Sequence, residues 1–472
     1  MSVNTKTNNP SSKKKHYHPD LKKSRDSNFK NFCLQKGDLA NGQGTPYQWV
    51  GNHWRHLSSN ATPIGLERIA VSYLETHHPE KATTANTISA AKFALFELPP
   101  LPAKPTDHII PLLNAWLRIG KDGAIHVQQP SLFLGITYVI KASLQQSQGI
   151  YLPQPLPAKS LFGRFLETSL PNPEIRALVQ EFCGYTLLNG VHLQKAQIWQ
   201  GAGANGKSVL LKIISELHEK CAAVRLDKLE GFALTQLVGA SLAISSETPR
   251  GKINEEMLKA VITGDPITVE PKHKSEFTYS PAAKWIIACN EFPRIGDKSD
   301  GIWRRFQIID WTVQIPERHR VYGLDSQIIN NELKLVLDWC LEGVQRLIQR
   351  GEFLEPDSVK FASQMKRNEN NNVAMFAEDT NLVPATGSGH LAKDELYARY
   401  RDYCLSCGYT PHNKDNFFKQ LYALFKGINK EMKKAIKGKW VRVIPLQFLE
   451  EAAPLTPEEQ QQEQAEIDAV GM

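Results

Sequence analysis

A glycine-rich loop near the middle of the chain constrains its fold more than any other feature. The loop, Gly201-Ala202-Gly203-Ala204-Asn205-Gly206-Lys207-Ser208, fits the phosphate-binding pattern Gly-x4-Gly-Lys-Ser/Thr. A strand-like run, Gln197–Gln200, precedes it, and a helix-like run, Ser208–Ile214, follows it. In that setting the glycines let backbone N–H groups point at phosphates, Lys207 reaches the terminal phosphates and Ser208 can hold magnesium. A ligand-free glycine turn is the alternative, and it does not explain the Lys-Ser pair.

Length and composition fit a multidomain globular protein. The 472 residues suffice for two to four domains, and 41% are hydrophobic and 22% charged. We find no run of 18 apolar residues and no apolar segment in the polar, basic N-terminus, so we expect neither a membrane span nor a secretory signal. The seven cysteines are scattered and odd in number, which favours reduced thiols and a cytoplasmic location.

The charge is distributed unevenly along the chain. The net charge is +7, but the last 24 residues carry seven acids and no Lys or Arg, which leaves +14 on the rest. So high a positive charge on the rest of the chain suggests a polyanionic partner, most simply nucleic acid. A basic surface that is merely solvated is the open alternative.

Changes of composition divide the chain into seven parts. Proline clusters at 99–105 and 153–157 mark two of the boundaries. Within the second part we expect a hairpin over 47–57 and helices near 64–76 and 85–95. The predicted parts are a disordered basic tail (1–30), an α+β region (31–107), a region mostly helical after 155 (108–194), an α/β nucleotide-binding core (195–320), a helical extension (321–374), a basic helix–ribbon domain (375–447) and a disordered acidic tail (448–472).

Three later segments have the composition of nucleotide-site motifs. Ser241–Glu247 is an apolar strand that ends in an acid, which can polarise water and help to hold magnesium. Lys284–Asn290 is a second apolar strand, and it ends in an amide that can orient water. Gly301–Phe306 contains Arg304-Arg305 just before a strand, which suits an arginine finger given to a neighbouring subunit.

These motifs occur in an order that resembles the superfamily III helicases of phage, plasmid and poxvirus primase-helicases. The set also includes Ile262–Pro266, Lys272–Lys274 and Ala288–Pro293, and the resemblance covers about residues 108–446 and the 47–57 region. It implies an α/β fold, with an AAA+ P-loop core, an N-terminal α+β region and a C-terminal winged-helix domain. It also implies ATP and magnesium sites between the subunits of a homo-oligomer, a hexameric ring.

The resemblance assigns roles to individual residues. Lys207, Glu247 and Asn290 would be catalytic, and Ser208 and Glu247 would hold magnesium. Arg305 would be the finger, since it directly precedes Phe306, and Arg304 is the fallback. Many relatives carry two adjacent acids where this chain has Ser246-Glu247, so the identity of the general base stays open. The implied ATP-binding residues are Gly201, Gly203, Ala204, Asn205, Gly206, Lys207, Ser208 and Val209.

Two basic segments are candidates for DNA contact. Residues 265–279 read as a hairpin with Lys272, His273 and Lys274 at its tip, and in the resembled family such a hairpin grips single-stranded DNA in the ring channel. Residues 391–446 hold 12 Lys/Arg and five Asp/Glu in a helix–ribbon pattern that looks like a winged helix for duplex DNA. Solvated turn charges and a mere packing module are the respective alternatives. Zinc at Cys404, Cys407 and His412 is disfavoured, because only three ligands are present and Cys404 falls on an apolar helix face.

The preferred interpretation is an ATP-dependent DNA helicase that replicates a phage, plasmid or other mobile element. It would move on single-stranded DNA as a ring, 3′ to 5′ by resemblance only. No strand with paired aspartates precedes residue 190, so we expect no primase domain, and a separate primase is a possible partner. One alternative is an initiator that binds ATP and melts an origin without processive unwinding. The other, a small-molecule P-loop kinase, shares only Lys207-Ser208.

Overall fold

The computed structural model consists of two compact units, residues 1–363 and 364–472. The residues that it describes are 17–57, 65–246, 253–271, 276–293, 295, 300–369, 372–386, 389–407, 411–428, 432–436 and 439–449.

The N-terminal part of the first unit packs three helices beside a small antiparallel sheet. Its elements are α1 (Arg25–Lys36), β1 (Leu39–Gly42), β2 (Thr45–Trp49), β3 (Trp54–His56), α2 (Gly65–His77) and α3 (Thr84–Glu97). The predicted hairpin is confirmed, because β2 pairs with β3 with Tyr47 opposite His56. Both predicted helices are confirmed as α2 and α3.

The predicted disordered tail extends too far. Helix α1 begins at Arg25, and Ser24 caps it by accepting a hydrogen bond from the Ser27 N–H. Phe29 and Cys33, one turn apart, are buried in the core of this part. Their apolar i,i+4 spacing is short and lies among Lys, Ser and Asn, which is why composition alone hides it. Residues 1–16 lie outside the described residues.

A second antiparallel sheet and two helices lead to the phosphate loop. The elements are β4 (His108–Pro111), β5 (Trp116–Ile119), β6 (Ile125–Gln128), β7 (Gly149–Tyr151), α4 (Leu161–Ser169) and α5 (Pro173–Leu187). The four strands pair in chain order. Ser160 and Asn172 cap the two helices, and Pro173 occupies the first turn of α5, where its missing N–H costs nothing.

The core of the first unit is a five-stranded parallel sheet in the order β14-β8-β13-β10-β9. Most residues of its strands are apolar and buried, because helices and loops cover both faces. On β8, Trp199 and Ile198 pack into two different hydrophobic cores, one on each face. The elements are β8 (Ala196–Gln200), α6 (Lys207–Leu217), β9 (Cys221–Ala223), β10 (Leu242–Ser245), α7 (Glu255–Thr263), β11 (Ile267–Val269), β12 (Phe277–Tyr279), β13 (Lys284–Cys289), α8 (Asp300–Trp303) and β14 (Phe306–Asp310).

A long helix, α9 (Leu324–Arg350), follows the sheet and packs on α5 and α6. Glycines allow α5 and α9 to cross closely. A Cβ added at Gly184 would lie 2.2 Å from the Cys340 carbonyl oxygen, and one at Gly343 would lie 2.5 Å from that of Gln180. Helix α10 (Asp357–Glu369) ends this helical stretch, in the region predicted to be helical.

The second unit combines three helices with short strands around an aromatic core. Its elements are α11 (Asn372–Asp379), β15 (Leu382–Pro384), β16 (Leu391–Ala392), α12 (Lys393–Ser406), α13 (Lys414–Leu424), β17 (Met432–Ile436), β18 (Lys439–Ile444) and β19 (Leu446–Phe448). Strands pair as β16-β18-β17 and β15-β19. Asn413 caps α13, and the Tyr400 and Phe417 rings stack with centroids 4.3 Å apart.

Cys404 lies in that aromatic core, on the apolar face of α12. No three His, Cys, Asp or Glu side chains group as a metal site within the described ranges. Across the described residues, no helix is both long and apolar enough to cross a membrane.

Candidate nucleotide-binding site

The glycine-rich loop lies at the carboxyl end of β8, between the ends of β14 and β13. Gly203 and Gly206 adopt left-handed backbone angles, with φ of 102° and 92°. At Gly201 a side chain is excluded by crowding, because an added Cβ would lie 2.3 Å from Asn205 Nδ2 and 2.6 Å from the Trp311 carbonyl oxygen. Ala204 adopts a φ of 51°, which a residue with a Cβ takes only at some cost. The loop is therefore held in one specific shape by its glycines and its neighbours.

Lys207 is the first residue of α6, and its side chain folds back over the loop. Its ammonium donates to the Gly201 carbonyl oxygen at 2.7 Å and to Asn205 Oδ1 at 3.2 Å. The residue is buried, and this burial lowers the pKa of the Lys207 ammonium, while Cys289 acts in the opposite direction. A cation held at the centre of a glycine loop is what terminal phosphates require.

Asn205 braces the loop against the segment that follows β14. Its Nδ2 donates to the Trp311 carbonyl oxygen at 3.2 Å. The Trp311 N–H donates to the Gln200 carbonyl oxygen at 2.7 Å, and the Ile315 N–H donates to that of Ala204 at 2.8 Å. Sequence reasoning assigned Asn205 to the motif, and the structure gives it this bracing contact.

Two of the other predicted motifs end at the same carboxyl ends of the strands. Asn290 directly follows β13, whose last residue, Cys289, pairs with Gln200 of β8, and the Asn290 side chain is exposed. Ser246 follows β10, one strand further along, and is also exposed. Ser208 is exposed in the first turn of α6. Glu247 lies outside the described residues, so its predicted role is untested.

Two buried oxygens near this edge have no protein partner. Ser245 Oγ, at the end of β10, and Gln200 Oε1, at the end of β8, make no hydrogen bond to any residue that the structure describes. Orphaned buried acceptors are costly and mark places where water or an ion binds. Sequence reasoning missed both residues, since neither belongs to a charged motif.

The paired arginines lie at the amino end of β14, at the opposite end of the strands from the phosphate loop. Arg305 directly precedes β14, and its carbonyl oxygen accepts from the Ala196 N–H at 2.8 Å, where β8 begins. Five paired residues separate this point from the phosphate loop, a distance of about 16 Å. The structure therefore does not bring Arg305 together with Lys207 in one chain.

The two arginines differ in their surroundings. The Arg305 guanidinium is half-buried and donates to the Gly301 carbonyl oxygen, whereas the Arg304 side chain is exposed. Burial and the neighbouring Arg304 lower the pKa of the Arg305 guanidinium, and Asp265 opposes them. Asp265 lies two residues before the β11–β12 hairpin begins.

A cleft of 490 Å³ opens beside the loop. Ser169 Oγ is buried in its wall without a hydrogen-bond partner among the described atoms, and the Tyr322 side chain is 84% exposed at its rim. Asp325 contacts Lys212, and this hydrogen bond lowers the pKa of the Asp325 carboxyl. Sequence reasoning missed this cleft, although the aromatic and basic run at 319–322 is a local signal. The lining includes Leu161, Phe165, Ser169, Ala204, Gly206, Val209, Ile315, Arg320 and Tyr322.

The predicted hairpin is present as β11 and β12, which pair antiparallel with Val269 opposite Phe277. Its base packs on the rest of the unit. The Tyr279 hydroxyl accepts from the Gly239 N–H at 3.0 Å, and the Phe277 ring stacks on His56 with centroids 5.9 Å apart. Lys272, His273 and Lys274, the predicted DNA contacts, lie outside the described residues.

Two family models match parts of the chain. Residues 199–305, from β8 to Arg305, match a family of unknown function (DUF5906), and residues 368–442, in the second unit, match the poxvirus D5 protein-like family.

Curated relatives carry helicase names. The chain is 28% identical over 165 residues to a putative helicase (L207/L206) of Acanthamoeba polyphaga mimivirus, covering 31% of this chain and 16% of that protein. It is 22% identical over 284 residues to the putative helicase 121R of Invertebrate iridescent virus 3, covering 51% and 30%. The chain thus spans less than a third of the length of these relatives.

Solved structures are similar at lower levels. The apo C-terminal region of NrS-1 is 12% identical, with a TM-score of 0.44 over 90% of this chain and 100% of that one. A JCV helicase is 12% identical, with a TM-score of 0.27 over 45% and 62%. The ordered motifs, the poxvirus D5-like match and the viral relatives together identify this chain as a relative of the superfamily III helicases, of the viral primase-helicase type.

Proposed function

We propose that this chain is the ATP-dependent motor of a DNA helicase that replicates a virus or another mobile element. The observation that carries the proposal is the phosphate loop with Lys207 buried at its centre, at the carboxyl end of β8 in a parallel sheet. Ligands of such open α/β sheets bind at the carboxyl ends of the strands. The strand order also sets Asn290 beside the loop, as an AAA+ core would require.

ATP would be held by the loop and the neighbouring cleft together. Its phosphates would occupy the loop, and its nucleoside would enter the cleft between α4 and residues 315–325. Ser169 offers a buried hydroxyl there, and Tyr322 offers an aromatic ring. The cleft's 490 Å³ falls within the usual range for small-molecule sites, about 300–1,000 Å³.

We propose magnesium for the same end of the strands, held by Ser208 and, by its place in the sequence motif, by Glu247. When bound, it would neutralise charge that develops on the phosphates. Ser245 Oγ and Gln200 Oε1 support this assignment, because these buried oxygens lack protein partners in the described ranges and suit ordered water around an ion.

The chain's own residues divide the work on ATP. Lys207 would bind the terminal phosphates and stabilise their charge. Asn290 would orient the attacking water. Glu247 would accept its proton, and with Ser246 beside it rather than a second acid, this single carboxylate would serve both as base and as metal ligand.

Arg305 would act in the site of a neighbouring subunit. Its position about 16 Å from its own loop, at the other edge of the sheet, supports this. An interface with loop on one side and finger on the other is heterologous, and such interfaces form a ring when the rotation between subunits closes. We accordingly propose a hexamer, with Arg304 as the alternative finger because its side chain is exposed.

DNA would be contacted at two places. Lys272, His273 and Lys274 would grip a single strand in the ring channel. The base of their hairpin is anchored by Tyr279, which bonds to Gly239, and by Phe277, which stacks on His56. The second unit would be a winged helix, in which α11, α12 and α13 pack beside the three-stranded sheet and β17–β18 form the wing. Its excess of Lys and Arg supports duplex binding through phosphates.

The test is ATP hydrolysis by the full chain with and without single-stranded DNA. We expect DNA to stimulate hydrolysis, and Lys207→Ala to reduce it by about 10²–10³-fold or more, because charge stabilisation is lost in the transition state. Lys92→Ala, on the exposed face of α3, is the matched control and should behave as wild type.

Two results would contradict the proposal. Wild-type hydrolysis by Lys207→Ala would remove the loop from the mechanism, and hydrolysis indifferent to DNA would favour a kinase-like enzyme. Displacement of a strand from a long tailed duplex then separates a helicase from an initiator that melts only a short region.

A further inference from the structure

The ribbon of the second unit displays a tryptophan beside two cations. β17 pairs with β18 so that Lys433 lies opposite Arg442 and Ala435 lies opposite Trp440. Directly opposed residues share one face of an antiparallel ribbon, as do residues two apart on one strand. Trp440, Arg442 and Lys433 therefore share a face, which we call the ribbon face.

Trp440 is 76% exposed, although its unit has an aromatic core. Phe376, Tyr400 and Phe417 fill that core and are buried. Leaving an indole in water forfeits much of the 150–250 Å² that an aromatic side chain can bury. The exposure of Trp440 therefore indicates that the ring is placed for a partner.

The side chains around Trp440 indicate which class of partner the ring would contact. Lys433 and Arg442 are both exposed on the ribbon face, and residues 391–446 carry 12 Lys/Arg against five Asp/Glu. A flat ring flanked by cations matches a polymer that alternates aromatic bases with phosphates. One indole between two charges offers too little continuous apolar surface for a protein interface core or a lipid phase.

Base pairs inside a duplex already stack on both faces, so a protein ring can stack only on an unpaired or terminal base. We propose that Trp440 stacks on such a base while Arg442 and Lys433 bind the adjoining phosphates. The site would thus recognise the junction between duplex and single strand. This inference rests on the proposed function and sharpens it, because it names the form of DNA that the second unit binds.

The test compares three DNA ligands bound to the full chain: a single-stranded oligonucleotide, a tailed duplex and a relaxed, covalently closed duplex circle. We expect Trp440→Ala to weaken binding of the first two by about 5- to 150-fold and to spare the circle. Trp440→Phe should restore part of the loss, because it keeps an aromatic face. Phe96→Ala, which removes an exposed ring on α3, is the matched control.

Salt dependence separates stacking from charge. Trp440→Ala should leave the slope of log affinity against log salt unchanged. The double variant Lys433→Ala with Arg442→Ala should weaken all three ligands and reduce the slope by about 2. Trp440 fluorescence, taken as wild type minus Trp440→Phe, should be quenched by the oligonucleotide.

Several outcomes would overturn the inference. Equal loss on the closed circle would make Trp440 a general duplex contact. Unchanged affinity of Trp440→Ala, with wild-type binding intact, would remove the base contact and leave the helicase proposal standing. A lower molecular mass of Trp440→Ala would assign the ring to self-association. Failure of the wild-type chain to bind any of the three ligands would overturn both proposals.

Discussion

Two buried polar side chains, those of His218 and Lys284, are held by contacts inside the first unit. His218 is completely buried; its Nδ1 lies 2.7 Å from Ser241 Oγ and its Nε2 lies 3.2 Å from Thr186 Oγ1. Lys284, also fully buried, donates to the Leu188 carbonyl oxygen, and its ammonium lies 5.4 Å from the centre of the Tyr185 ring. Burial first, and then the cations Lys284 and Lys141, lower the pKa of His218 to about 3.

This lowered pKa predicts a pH dependence of stability. The unfolded histidine, with a pKa near 6.5, takes up a proton below that pH, whereas the folded one does so only near 3. The free energy of unfolding should therefore fall between pH 6.5 and 3, by up to about 1.4 kcal/mol per pH unit from this group. We expect His218→Gln to reduce that slope in denaturant titrations at pH 7.5, 6.5, 5.5 and 4.5. His126→Gln, on the exposed face of β6, should not; equal slopes for wild type and His218→Gln would refute the assignment.

Residue types in a motif could be predicted, but their surroundings could not. The sequence identified Lys207 and Asn205 because the loop pattern is local. Ser169, Tyr322 and Ser245 were missed, since α4 and the segment after β14 come beside the loop only through long-range packing. The distance between Arg305 and Lys207 likewise depends on strand direction, which no local pattern reveals.

Among the elements, helices α5 and α9 cross so closely that glycine is required at the contact. Alanine favours helices over glycine by about 1 kcal/mol, so propensity alone would make Gly184→Ala stabilising. The added Cβ, however, would lie 2.2 Å from the Cys340 carbonyl oxygen, and backbone cannot yield as a side-chain tip can. We expect a net loss of about 1–3 kcal/mol, measured as a lower midpoint of chemical denaturation.

Gly343→Ala should show the same sign, because its Cβ would meet Gln180. Ser358→Ala, on the exposed face of α10, is the control and should change stability by less than about 0.5 kcal/mol. A stabilised Gly184→Ala would mean that the helices separate easily at this point.

Elements with a strong local period could be predicted, and those without one could not. The 47–57 hairpin, α2, α3 and the β8–loop–α6 unit follow from alternation, turn residues and helical spacing. Helix α1 was missed because its four apolar residues, clustered at 29 and 32–34 in a polar stretch, give a weak helical period. Sheet order was out of reach, since β8 pairs with β13 and β14, about 90 and 110 residues away.

At the scale of the whole molecule, the separation of Arg305 from Lys207 predicts complementation between subunits. Arg305→Ala should bind ATP but lose about 10³-fold or more in hydrolysis, as fingers supplied in trans do. Co-expressed with Lys207→Ala, it should form some interfaces with an intact loop and an intact finger. Random mixing in a ring would restore about a quarter of the wild-type interfaces.

Co-expression ensures that subunits mix, and hydrolysis by the mixture is compared with each variant alone. Loss of activity in Arg304→Ala but not in Arg305→Ala would transfer the finger to the exposed arginine. Full activity of both arginine variants in a confirmed oligomer would rule out a finger from this pair and favour the initiator alternative.

Strand β14 connects Arg305 to the phosphate loop of the same chain. It begins directly after Arg305, and at its other end Trp311 bonds to Gln200 and Asn205, which shape the phosphate loop. Between these ends the strand is paired along its whole length with β8. If Arg305 acts in the site of a neighbouring subunit, as proposed, a displacement of Arg305 during hydrolysis there would be carried along β14 to the chain's own loop. Neighbouring sites would then hydrolyse ATP in succession around the ring rather than independently, because β14 couples each finger to the phosphate loop of its own chain.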